Sequence, residues 1–156
     1  MFHINIIAVG KNKDQWIDDA IAHYLKLLKK FAVIEINYIP DVKNSKNLSR
    51  NELINQERIL IEKNLKSEFV IALSDRGRSY DSIQFADLLL QTMQQSRGNA
   101  DFIIGGAYGL SEQFMKKCRM ILSLSPMTMS HQLVRPVLLE QLYRGFSILS
   151  GSSYHK

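Results

Sequence analysis

Five short apolar runs, separated by stretches with helical periodicity, constrain this chain more than any other feature. Ile4–Val9, Val33–Ile39, Phe69–Leu73, Phe102–Ile104 and Ile121–Leu124 have strand length, and Gly10 and Pro40 stop the first two. Between the first pair, Trp16, Ile17, Ala20, Ile21, Tyr24, Leu25 and Leu28 recur at the spacing of one helix face. Ser49 and Glu52 stand three apart, the pattern of a capping box, before Leu53, Leu60, Ile61 and Leu65. Phe85, Leu88, Leu89 and Met93 mark a third helix, and residues 111–118 a short fourth. Leu133, Val134, Val137, Leu138, Leu142 and Phe146 mark the last. Strands joined by helices of this length require right-handed crossovers and a mainly parallel sheet covered on both faces. The expectation is a three-layer α/β fold. At 156 residues the chain supports one core, hence one domain over 1–156.

The breaks between the elements carry the chemistry. Asp41–Asn47 and Ser74–Ser79 are polar, irregular stretches after strands. In the last third, Ile103-Ile104 runs into Gly105-Gly106-Ala107-Tyr108-Gly109-Leu110, and Leu122-Ser123-Leu124 into Ser125-Pro126-Met127-Thr128-Met129-Ser130-His131. Open parallel sheets hold ligands at such carboxyl ends. The glycine turn lacks the order of a dinucleotide fingerprint and the Lys-Ser/Thr ending of a phosphate loop, so neither cofactor is supported. It is either a tight strand-to-helix turn or a backbone left open for close approach to a flat ligand. Met127-Thr128-Met129 offers thioether surface beside one hydroxyl, which suits a purine ring, while the commoner fate of such a Met pair is to fill core.

Charge and cysteine use narrow the partners. Lys and Arg outnumber acids 20 to 15, and the surplus is spread, 11 against 8 before residue 67 and 9 against 7 after it. RNA is compatible, but there is no basic tail. Cys118 is the single cysteine, no His or Cys pair stands at metal-ligand spacing, and no apolar run has membrane length. With no basic leader at the start, the expected compartment is the cytoplasm. His131 and Arg135, four apart, are placed on one face at the start of the last helix, where Arg135 can hold a phosphate and His131 can titrate. Glu140 and Arg144 read as an ordinary i, i+4 ion pair. The tail Tyr154-His155-Lys156 is either a frayed end or a polar, ionisable contribution to a site.

Ile7-Ala8-Val9-Gly10, Ile104-Gly105-Gly106, Gly109-Leu110, Leu124-Ser125, Met127-Thr128, His131, Leu133-Val134-Arg135, Glu140-Gln141-Leu142-Tyr143-Arg144 and Tyr154-His155 together resemble the RlmH-type large-subunit ribosomal RNA methyltransferases, minimal members of the SPOUT superfamily. The likeness runs essentially the full length, with residues 41–66 matching only in general character. Two departures stand out: Ser130 occupies a position more often Pro, and Pro136 follows Arg135.

The resemblance implies a C-terminal trefoil knot and S-adenosylmethionine bound in a bent shape by Leu73, Gly105 and the run Leu124, Ser125, Pro126, Met127, Thr128 and Met129. It further implies a homodimer that completes each site, and N3-methylation of a pseudouridine in large-subunit (23S) rRNA on assembled ribosomes. Arg135, Tyr154 and His155 fall at the substrate side with His131 nearby. Transfer from a sulfonium to a ring nitrogen needs positioning and removal of one proton, for which His155 or a water it holds is the candidate. The apolar positions Leu138, Leu139, Leu142 and Phe146 wrap beyond one stripe and make the last helix the expected dimer contact. A non-catalytic ribosome-binding or assembly module is the competing reading, and a nucleotide-dependent enzyme of another kind a third.

Overall fold

The computed structural model describes residues 1–155; Lys156, the end of the tail singled out above, lies outside the described residues. Five strands, β1 (Phe2–Val9), β2 (Ala32–Ile39), β3 (Val70–Ser79), β4 (Asn99–Ile104) and β5 (Met120–Ser123), form one sheet in the order β2-β1-β4-β3-β5. Every pairing is parallel. The helices are α1 (Gln15–Leu28), α2 (Arg50–Lys63), α3 (Ser82–Gln95), α4 (Glu112–Lys117) and α5 (Val134–Leu149).

The two faces of the sheet are visible in β1, where alternate side chains part. Phe2, Ile4, Ile6 and Ala8 join Ile71, Phe102 and Leu122 beneath α1, α3 and α5. Ile7 and Val9 join Ile39, Val70 and Ile103 beneath α2 and Phe114 of α4. This is the three-layer arrangement the alternation of elements predicts. One polar node interrupts the second face: Asp101, fully buried on β4, accepts from Lys66 N at 2.7 Å, Ser67 N at 3.0 Å and Asn5 Nδ2 at 3.0 Å. A carboxylate so buried is tolerated because donors surround it, and it fixes the approach to β3.

Three expectations change. Ser74–Ser79 is not an exit loop: β3 runs on through it, with a register shift against β5 between Leu73 and Arg78. The last helix begins at Val134, so His131 precedes it and shares no helical face with Arg135; the link is Arg135 Nε donating to the His131 carbonyl at 3.1 Å. Leu138, Leu139, Leu142 and Phe146 are not free for a dimer, because all four are buried in the core of their own chain. Helix α5 packs against both α1 and α3 and therefore needs a wide apolar face.

The two sequence departures fit this geometry. The Ser130 hydroxyl accepts from Leu133 N at 3.1 Å, satisfying a donor ahead of α5. Pro136 falls in the first helical turn, where an absent N–H breaks no intrahelical bond.

Candidate active site

A cleft of about 1070 Å3 opens at the carboxyl ends of β4, β3 and β5. Leu73 to Arg76 of β3 form one side, the turn Gly105 to Leu110 the floor and one wall, and Leu124, Ser125, Met127 to His131 and Val134 the opposite wall; the first turns of α2 and α4 complete the rim. Leu73, Gly105, Leu124, Ser125, Met127, Thr128, Met129 and His131 therefore converge from three separate stretches of sequence. Pro126 does not line the cleft.

Local chemistry holds each wall. In the turn, Gly109 N donates to the Gly106 carbonyl at 3.0 Å, and Gly109 sits at φ +76°, the left-handed region that glycine enters at no steric cost. Gly105 is hemmed in by its own turn, since a Cβ there would lie 2.8 Å from the Gly109 carbonyl carbon. Across the cleft, Met127 N donates to Ser125 Oγ at 3.0 Å, and Thr128 Oγ1 donates to Asp75 Oδ2 at 2.6 Å, tying the loop to β3. Apolar Leu73, Leu124 and Met129 beside hydroxyls, a carboxylate and a tightly approached backbone suit a flat, partly polar ligand such as an adenosine.

Sequence reasoning missed Glu57. This α2 side chain is 8% exposed and lies directly under the turn, where a Cβ on Gly106 would stand 2.9 Å from its Oε1. Burial, with Asp41 as a lesser cause, pushes its carboxyl up to about 7. The native state then keeps a proton that the unfolded chain, with its ordinary value of 4.5, has released. Stability is full below 4.5 and is lost as pH rises towards 7, by on the order of 3 kcal/mol at about 1.4 kcal/mol per pH unit. We expect the stability of wild type relative to Glu57→Gln, from urea unfolding at pH 5 and pH 8, to fall by that order; equal differences at both pH values would contradict the assignment.

Histidine 131 lines the cleft, and burial first, then the neighbouring Arg135 and Lys13, lower its pKa, so the ring is neutral at pH 7. Arg135 is not among the residues that line the cleft. Its side chain is 2% exposed, and it donates to the Val9 carbonyl at 2.7 Å, Asn12 Oδ1 at 2.8 Å and the His131 carbonyl, beneath the Tyr38 ring. A guanidinium committed in this way staples β1 to the segment before α5.

Tyr154 and His155 do not line the cleft. The tail folds back on α5: Tyr154 packs edge-on against Tyr143 at 4.6 Å, and its hydroxyl donates to Glu140 Oε1 at 3.3 Å. Arg144 pairs with Glu140 at 2.7 Å, the ordinary ion pair expected, and also meets His155 Nδ1 at 3.3 Å. Among the described residues no three His, Cys, Asp or Glu side chains gather to hold a metal, and no helix is long and apolar enough to cross a membrane.

Against known proteins, residues 2–155 match the family model described as "Predicted SPOUT methyltransferase". The chain is 42% identical to the ribosomal RNA large subunit methyltransferase H of Alkaliphilus oremlandii, over 99% of both chains. It is 38% identical to the protein of that name from Streptococcus mutans, over 98% of this chain and 99% of the relative. A probable methyltransferase from Bordetella pertussis has the same fold, with a TM-score of 0.57 and 14% identity over 91% of this chain and 95% of that one.

Proposed function

Because the chain belongs to the SPOUT methyltransferase family, and so methylates ribosomal RNA of the large subunit with S-adenosylmethionine, we propose that its acceptor is N3 of a pseudouridine. On this reading it works as a homodimer on the assembled ribosome, in the cytoplasm. The observation that carries the reading is the cleft at the strand ends, where Leu73, Gly105, Leu124, Ser125, Met127, Thr128 and Met129 converge. These residues would hold the cofactor, with Pro126 shaping the loop behind them. The bound cofactor supplies an electrophilic methyl on a sulfonium.

The protein's own part is to orient the acceptor ring and to take its proton. Neutral His131, on the cleft wall, is the group of this chain best placed to accept it. Tyr154 and His155 belong to the reading as groups supplied across a dimer, because in a single chain they lie on α5 rather than at the cleft. Family membership also supports a trefoil knot in the C-terminal region. Lys and Arg exceed acids only 20 to 15 and the surplus is spread along the chain, which supports a reading in which selectivity comes from the shape of the ribosome rather than from gripping free RNA.

The test is incubation with methyl-labelled S-adenosylmethionine and ribosomes from cells lacking the gene, beside the stripped rRNA. The label is expected on one pseudouridine of the large subunit in ribosomes and scarcely in naked RNA. Ribosome binding with no transfer would favour the non-catalytic assembly module.

A further inference from the structure

The mouth of the cleft carries more than a cofactor needs. At about 1070 Å3 the cleft lies at the upper end of the ~300–1,000 Å3 usual for small-ligand sites, and its rim extends to Arg50 of α2 and to Tyr108. Tyr108 stands at the tip of the turn closed between Gly106 and Gly109, and half of its surface is exposed. The turn's hydrogen bond fixes the backbone that displays it.

Arg50, the first residue of α2, places its guanidinium carbon 5.2 Å from the centre of the Tyr108 ring. The capping box of Ser49 and Glu52 sets the start of that helix, so both partners sit on defined backbone. Arg50 has no carboxylate partner among the described residues, whereas Arg76, further along the rim, faces Glu112 at 4.0 Å. Across from Tyr108 the Met127 side chain is 77% exposed. An open aromatic ring backed by an uncommitted cation, facing a soft apolar side chain, matches the chemistry of an unpaired nucleotide: a base to stack and a phosphate to neutralise.

We propose that Tyr108 and Arg50 form the RNA-side wall of the cleft, the ring stacking on an unpaired base of the large-subunit RNA while Arg50 meets an adjoining phosphate. This rests on the methyltransferase reading and names the residues that receive its RNA. Neither residue touches the reacting atoms; both position the substrate.

The test measures binding of fluorescently labelled protein to large ribosomal subunits, with S-adenosylmethionine affinity determined separately by calorimetry. Tyr108→Ala is expected to weaken subunit binding about tenfold, with cofactor affinity held within about twofold as evidence of an intact fold; Tyr108→Phe restores binding and Arg50→Ala flattens its salt dependence. Unchanged subunit binding in Tyr108→Ala overturns the proposal, as does a parallel loss of cofactor affinity, which would give the ring to the cofactor. Subunit binding that depends on Tyr108 in a protein that transfers no methyl keeps this proposal and removes the parent reading. Wild-type protein that binds no subunits removes both.

Discussion

Replacing Gly105 by valine is expected to weaken S-adenosylmethionine binding more than about a hundredfold, a loss of roughly 3 kcal/mol. The cause is backbone, not side chain. A Cβ at this position meets the Gly109 carbonyl carbon at 2.8 Å, its oxygen at 3.0 Å and Leu110 Cγ at 3.1 Å. No rotamer relieves a clash with main-chain atoms, so the turn itself must move. The turn has little slack, because Gly109 is already at positive φ and its amide is committed to Gly106. On the other side Glu57 blocks retreat into α2, and displacement therefore goes into the cleft. Calorimetric titration reads the affinity, and a near-wild-type melting curve would separate lost binding from lost folding.

The same variant tests how the site is assembled. If His155 acts across a dimer, Gly105→Val and His155→Ala are each inactive or slow alone, yet a mixture regains activity. Random pairing makes about half of the dimers mixed, each with one complete site of two, so about a quarter of wild-type activity returns. No recovery in mixtures shown to exchange subunits would sink the shared site and return the tail to a purely structural role.

Much of the fold was legible because strand burial and helix periodicity are local signals. Each of the five apolar runs falls on one of the five strands, four of them matching at both ends to within three residues, and Ser49 and Glu52 do form both halves of a capping box. The misreadings have specific causes. β3 continues past Leu73 as Ser74-Asp75-Arg76-Gly77-Arg78-Ser79, a stretch polar enough to pass for a loop, because its strand character comes from backbone pairing with β5 rather than from buried side chains. Helix α5 looks too apolar for one face because it has neighbours on two sides. Glu57 gave no signal, since a carboxylate among Asn55, Gln56 and Arg58 reads as a wet helix surface. The cleft itself was legible through loops that follow strands. Its RNA side, where Arg50 meets Tyr108, joins residues 58 apart and exists only in the fold.

Arg135 shows why a motif residue and a contact residue are different things. Removing it as Arg135→Met is expected to cost about 3–5 kcal/mol in urea unfolding, since buried acceptors lose charged donors at ~1–3 kcal/mol each. Three acceptors are affected, the Val9 and His131 carbonyls and Asn12 Oδ1, and the Tyr38 ring loses its cation as well. Arg135→Lys should recover only part, because one ammonium does not reproduce the fork that reaches in three directions. Gln132 makes a second staple beside it, donating to the Lys11 carbonyl at 3.1 Å and accepting from Lys13 N at 3.0 Å. Between these staples His131 is held at the cleft wall, so residual folded Arg135→Met should transfer methyl groups more slowly even at saturating cofactor. A phosphate-binding arginine predicts the reverse pattern, unchanged stability with lost ribosome affinity. The two measurements on one variant decide whether Arg135 serves the RNA or, as its hydrogen bonds indicate, the wall on which His131 stands.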